Sequence, residues 1–311
     1  MGIIKAICIS EKKGTLKMPV QEAELIPDYG IKNDAHAGKW HRQISLLPDE
    51  KIQAFKKRVP QIKYGSFGEN LVTEGFDLRS IPVGTKFRIG DHILIQMTQI
   101  GKNCHTECAI SKQTGECIMP REGVFAKVIH GGTVHVGDKI EKLPFDPDTP
   151  FTAAIITLSD KGAAGEREDK SGPMLAEMAK NQGYEVVEQL LLPDGIEKLS
   201  AELIRLADQR QVSLILTTGG TGFSQRDLTP EATEKVCQRM APGIPEAMRY
   251  ASLKITPKAM LSRETAGIRN RSLIINLPGS PKAARENLEA VLPALNHGLG
   301  ILRGTAGECG K

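Results

Sequence analysis

The chain has 311 residues, a formal charge of +4, 40% apolar residues and 4% aromatic residues. That length suits two domains better than one. The mild charge does not suggest a surface built to track a polyphosphate chain, though local basic patches could hold small anions, and the scarcity of aromatics argues against a stacking platform for single-stranded nucleic acid. No stretch reaches the ~18 uninterrupted apolar residues that span a bilayer. The opening MGIIKAICISEKKG lacks the apolar run and cleavage site of a secretory leader. Six cysteines spread over this length are no disulfide framework. The expectation is a soluble, cytoplasmic protein with neither nucleic acid nor a membrane among its partners.

The first half, residues 1–143, alternates short apolar runs with glycine turns. GIIKAICIS opens as a strand, and PDEKIQAFKKRV is its best candidate for a long helix. GTKFRIGDHILIQMTQIG reads as a hairpin turning at Gly90-Asp91, and TVHVGDKIEKL closes with another strand pattern. This predicts a β-rich, barrel-like domain. Basic residues recur in its loops: Lys12-Lys13, Arg42 and Arg121, each of which alone is more often a solvated charge. One segment, GKNCHTECAISKQTGECIMPREGVF, gathers Cys104, Cys108 and Cys117 beside His105. No CxxC pair is present, so structural zinc is a poor reading. A reactive thiolate needs a basic, partly open setting, which Lys102, His105 and Arg121 could supply.

Residues 144–150, within LPFDPDTP, are rich in proline and aspartate and read as an extended linker. Residues 151–311 then change rhythm. AAIITLS is a strand; SGPMLAEMAKNQG is a helix with Ser171 as N-cap and Gly183 as its stop. EVVEQLLL is a second strand. IEKLSAELIRLADQ is a helix with Ile196, Leu199, Leu203 and Leu206 on one face. SLILTT, the helix TPEATEKVCQRM with Pro230 in its first turn, SLIINLPG and the helix SPKAARENLEAVLPALNHGL complete the order. The alternation predicts an α/β, three-layer domain on a mostly parallel sheet, with ligands beyond the carboxyl ends of the strands.

Four loops leave those ends. They carry Ser159-Asp160, Pro193-Asp194-Gly195, Gly219-Gly220-Thr221-Gly222 with Arg226-Asp227, and Asn276-Leu277-Pro278-Gly279-Ser280-Pro281. Glycines admit a ligand close to the backbone, and helix starts offer free N–H groups to an anion. Arg226 adds a planar fork for a phosphate. Asp194 and Asp227 would repel that anion unless a hard cation lies between, and Mg²⁺ commonly takes one or two carboxylates together with phosphate oxygens. Alone, GGTG more often marks only a tight strand-to-helix turn. It is neither a Walker A sequence nor a GxGxxG element.

Together TTGGTGFSQRDLTPEAT, ITLSDKGAAGEREDKSGP, LLLPDG and NLPGSP resemble the molybdopterin adenylyltransferase and molybdopterin-binding family. The likeness covers nearly all of residues 151–305. It implies an enzyme of molybdenum cofactor biosynthesis that adenylylates molybdopterin with Mg-ATP, and a homotrimer formed through this domain. The family's two functional aspartates fall on Asp194 and Asp227, which would hold Mg²⁺. Gly219, Gly220, Thr221 and Gly222 would hold phosphate, Ser280 adenylate, and Ser159 with Asp160 would lie near the pterin. Some relatives bind the pterin without turnover, so a carrier is the alternative.

EKKGTLK, DAHAGKWHRQISLL, GSFGENLVTEG, the cysteine segment and GGTVHVGDKI resemble the MOSC domain, named from the C-terminal part of molybdenum cofactor sulfurase. The resemblance implies a barrel-like fold handling sulfur, molybdenum or the cofactor, with one characteristic cysteine. That role falls on Cys108, with Cys104 and Cys117 as rivals. A molybdenum-insertion protein is the implied partner.

Overall fold

The computed structural model describes residues 1–103 and 116–305. Its contacts separate two compact units, Met1–Asp146 and Pro147–Lys311.

The first unit is a closed barrel. Its strands are β1 (Gly2–Ile9), β2 (Met18–Val20), β3 (Glu22–Ile26), β4 (Gly30–Ile31), β5 (Ile44–Pro48), β6 (Leu71–Glu74), β7 (Lys86–Ile89), β8 (Ile93–Ile100), β9 (Val124–His130), β10 (Gly132–His135) and β11 (Lys139–Lys142). The main sheet runs β11-β7-β8-β9-β5-β6-β1-β2, and a further β11–β1 pairing closes it. Strand β1 can serve three neighbours because its first residues pair with β11, its last with β2, and its other side with β6. A smaller sheet, β10-β3-β4, stands beside it. The expected hairpin is β7–β8, with Ile89 opposite Ile93 and Gly90 at φ 55°. The expected helix is α1 (Asp49–Lys56), which buries Ile52 and Phe55. A one-turn helix, α2 (Met119–Glu122), precedes β9.

The second unit contains β12 (Thr152–Leu158), α3 (Asp160–Ala163), α4 (Ser171–Asn181), β13 (Glu185–Leu192), α5 (Ile196–Ile204), β14 (Leu214–Thr218), α6 (Thr229–Val236), β15 (Arg239–Met240), α7 (Gly243–Leu253), β16 (Ala266–Arg269), β17 (Ser272–Leu277) and α8 (Pro281–Arg303). Its sheet order is β13-β12-β14-β17-β16-β15. The first four strands are parallel. Strands β16 and β15 extend the sheet in antiparallel fashion, so the expectation of a mostly parallel sheet becomes a mixed sheet with a parallel half. Alternation along the strands sorts the core. Ala153, Ile155, Leu214, Leu216, Leu273 and Ile275 pack with residues of α4, α7 and α8 on one face, while Ala154, Ile156, Ile215 and Ile274 pack with α5 and α6 on the other. All five residues of β14 are buried, as a central strand covered on both faces requires.

Three local expectations need correction. The helix predicted over TPEATEKVCQRM ends at Val236, because Arg239 and Met240 pair with Ile268 and Gly267 instead. Ser171 does not cap α4. Asp169 does, accepting from the N–H groups of Ser171 (3.0 Å) and Gly172 (2.9 Å). The helix over IEKLSAELIRLADQ is α-helical only to Ile204 and widens into a π-turn over Arg205–Gln209.

Candidate active site

The strand register levels the carboxyl ends of the parallel half: Thr157 of β12 faces Thr218 of β14, which faces Leu277 of β17. Beyond them lies a cleft of about 730 Å³. Ser159, Asp194, Gly219, Gly220, Asp227, Gly279 and Ser280 all line it, drawn from the four loops the sequence singled out. Glycine is obligatory at its floor. Gly219 has φ 102°, and a Cβ there would sit 2.4 Å from the Leu158 carbonyl oxygen. A Cβ on Gly279 would lie 3.3 Å from the Gly219 Cα, so two loops meet there at backbone contact distance. Beneath them, Thr218 Oγ1 donates to the Pro278 carbonyl (2.6 Å) and Thr229 Oγ1 to the Gly219 carbonyl (2.8 Å).

Three carboxylates gather at one side. The Asp194 N–H donates to Asp160 Oδ1 at 3.0 Å, and Asp227 Oδ2 accepts from the Ser224 N–H at 2.9 Å. Burial raises the pKa of Asp194, and the negative charges of Asp160 and Asp227 add to that rise against the hydrogen bond from the Asp160 backbone and the charge of Arg226. Ser159 caps α3, its Oγ accepting from the Gly162 N–H at 3.0 Å. Ser280 precedes α8 but makes no capping bond with its side chain, which leaves the hydroxyl at the cleft for other use.

Other predicted residues stand elsewhere. Arg226 Nη1 donates to Asp160 Oδ2 at 3.0 Å, so this exposed arginine neutralises a carboxylate rather than lining the cleft. Thr221, Gly222 and Pro278 line a separate, more apolar groove of about 330 Å³. Sequence reasoning quoted the segment Arg167 to Ser171 within a family motif but gave it no site role; it forms another wall of the cleft and brings Arg167 and Lys170 to it. The charged run EREDKS just before α4 was the available signal. It also missed Arg263, which joins Gly222, Asp227 and Glu231.

In the first unit, Cys104, Cys108 and His105 lie outside the described residues, and Cys117 is half-buried. Among the described residues no three His, Cys, Asp or Glu side chains converge as a metal site. Arg42 stacks over Trp40 (4.7 Å) and Phe125 (5.5 Å), and Arg121 pairs with Glu116. A buried ion pair escaped the sequence reading. Lys17 and Asp34 meet with both side chains 1% exposed, and Asp34 also accepts from the N–H groups of Ser10 and His36, each at 3.0 Å. Burial lowers the pKa of Lys17; it opposes the charge on Asp34 too, but hydrogen bonds from His36 and Lys17 still hold that carboxyl below the usual range.

Comparison with known proteins covers both units. Residues 154–297 match the family described as probable molybdopterin binding domain, and residues 33–141 match the MOSC domain. A molybdopterin adenylyltransferase of Helicobacter pylori is 47% identical over 152 residues, covering 48% of this chain and 86% of that protein. Its counterpart in Escherichia coli K12 is 42% identical over 143 residues, covering 45% of this chain and 73% of that one. A solved structure of the molybdopterin biosynthesis enzyme MoaB from Thermus thermophilus is 48% identical, covering 50% of this chain and 97% of that one, with a TM-score of 0.48.

Proposed function

The chain belongs to the molybdopterin adenylyltransferase family through its C-terminal half and carries a MOSC domain before it, which makes it an enzyme of molybdenum cofactor biosynthesis; from this premise we propose that the cleft of the second unit transfers the adenylyl group of ATP to molybdopterin. The observation that carries the reading is the convergence of Asp194, Asp227, Gly219, Gly220 and Ser280 on one cleft. The terminal phosphate oxygen of molybdopterin attacks the α-phosphorus of ATP. A new P–O bond forms, the bond to the bridging oxygen of the β-phosphate breaks, and pyrophosphate leaves with that electron pair. Such a transfer demands positioning and charge neutralisation more than covalent help. Backbone N–H groups at Gly220 and at the start of α8 cradle phosphate. Arg167 and Lys170 supply positive charge from the facing wall. Ser280 contacts the adenylate, and Ser159 with Asp160 borders the pterin.

The residues fit a divalent cation. Like charges help to raise Asp194, and a cation between the carboxylates would remove that cost. Mg²⁺ takes one or two carboxylates, and its shell is normally completed by phosphate oxygens and water. Asp194 and Asp227 would hold it, and when bound it neutralises charge developing on the transferred group.

The test is transfer of label from ATP to molybdopterin by the purified chain with Mg²⁺. Asp227→Ala should abolish transfer and leave pterin binding intact. Pterin binding without any transfer in the parent protein would convert the reading to a carrier.

The remaining assignments follow from the family. The MOSC unit handles sulfur, molybdenum or the finished cofactor, with Cys108 as its thiol and a molybdenum-insertion protein as partner; tethering the two units raises the effective concentration of a shared intermediate. No described helix is long and apolar enough to cross a membrane, and the place of action proposed is the cytoplasm. The proposed homotrimer would cover Tyr250, Ile255 and Met260, which are 66%, 57% and 64% exposed in the single chain. Light scattering that returns a monomer mass would overturn it.

A further inference from the structure

Between Gly222 and Asp227 the chain has little to hold it. Residues 223 to 226 are all exposed, and Phe223 is 71% exposed. Within the loop, Asp227 and Ser224 exchange two bonds of 2.9 Å, one from the Asp227 N–H to the Ser224 carbonyl and one from the Ser224 N–H to Asp227 Oδ2. Among the described residues, the pairing of Arg226 with Asp160, itself on the surface, is the one side-chain ion pair from residues 223 to 226.

Arg263 grips this loop from outside. It lies between the 3₁₀ turn Pro257–Leu261 and β16. Its own N–H donates to the Thr221 carbonyl at 3.0 Å, which fixes its backbone against the loop entrance. Its Nε donates to the Gly222 carbonyl at 2.8 Å and its Nη2 to the Asp227 carbonyl. The remaining arm, Nη1, pairs with Glu231 in the first turn of α6. One planar guanidinium thus closes the loop across both ends and ties it to the following helix. A lysine has three donors but no fixed fork, so it cannot reproduce this arrangement.

We infer that Arg263 is a positioning residue for the cleft, holding Asp227 where it can share a divalent cation with bound nucleotide. The inference rests on the proposed Mg-ATP reading and deepens it. Partners that orient metal ligands typically matter by 10- to 100-fold in affinity or activity.

The experiment is a calorimetric titration of Mg²⁺ into the full chain with a non-hydrolysable ATP analogue, run for the parent, Arg263→Lys and Asp227→Asn, with circular dichroism to confirm folding. Arg263→Lys should weaken Mg²⁺ binding about 10- to 100-fold. Its kcat should fall in step, with partial recovery at high Mg²⁺ and an unchanged KM for pterin. A folded Arg263→Lys protein with parental Mg²⁺ affinity overturns the inference if Asp227→Asn loses that affinity. If Asp227→Asn also keeps it, the metal reading has failed, and this inference with it. Should Arg263→Lys not fold, hydrogen exchange in the parent decides. Slow exchange at the Ser224 and Asp227 amides supports the clamp, and exchange as fast as in a free loop overturns it.

Discussion

Glu264, next to the clamp, offers a sharp thermodynamic test. It is 4% exposed, and neither carboxylate oxygen has a hydrogen-bond partner. It lines the 330 Å³ groove with Arg249, Lys258 and Glu286. Burial pushes its pKa from the ordinary 4.5 to about 7, over the opposing influence of the Ser262 hydroxyl and the Arg249 charge. The folded protein therefore keeps a proton that the unfolded chain has released between those two values. Stability must fall as pH rises through that window, and the loss is complete above it. Linkage puts the cost at about 1 kcal/mol at pH 5 and about 3 kcal/mol at pH 8. Glu264→Gln removes the titration, so its stability relative to the parent should improve by about 2 kcal/mol between those pH values, whatever constant offset the amide introduces. Urea unfolding followed by circular dichroism measures this. The single tryptophan, Trp40, lies in the first unit, and its fluorescence tracks that unit's transition separately. Parallel stability–pH curves for parent and variant would refute the argument that burial of Glu264 outweighs the influence of Ser262 and Arg249.

Two further substitutions probe the two units. A Cβ on Gly222 would sit 2.9 Å from Asp227 Oδ2, so Gly222→Ala should displace that carboxylate and cut adenylyl transfer about 10- to 100-fold. Its thermal midpoint should stay near the parent's, and full activity would show that the site tolerates a shifted Asp227. In the barrel, Lys17→Met strands the Asp34 charge in the interior and should cost about 3–5 kcal/mol in a urea titration read by Trp40 fluorescence. A loss below about 1 kcal/mol would mean that the pair is not desolvated as drawn.

Much of the second unit was legible because its signals are local. The apolar runs of β12, β14 and β17 are nearly continuous, as strands buried on both faces must be. The loops that follow them carry glycine, proline and aspartate in short, dense groups. What escaped was set by contacts distant in sequence. Strand β15 is two residues long and exists through its pairing with β16, so no periodicity could announce it. Ser171 looked like a cap by residue type, yet the helix's first N–H groups, those of Ser171 and Gly172, donate to Asp169. Arg263 acts on carbonyls 41 and 36 residues away, and the Lys17–Asp34 pair spans 17 residues of a chain that had first to close into a barrel.

The loop that joins glycines to a carboxylate has a reason beyond anion binding. Gly220 stands at φ 63°, and a Cβ there would meet Thr229 Oγ1 at 2.4 Å, the hydroxyl that ties α6 to the Gly219 carbonyl. Gly222 leaves room for the Asp227 side chain itself. The glycines therefore do two things at once. Gly219 and Gly220 bend the backbone so that it can approach a phosphate, and Gly222 clears the space in which an acidic group can stand at the same wall. A loop that only bound anions would need the first and have no use for the second. In the proposed reading, the spacing from Gly219 to Asp227 serves a phosphate and a cation together.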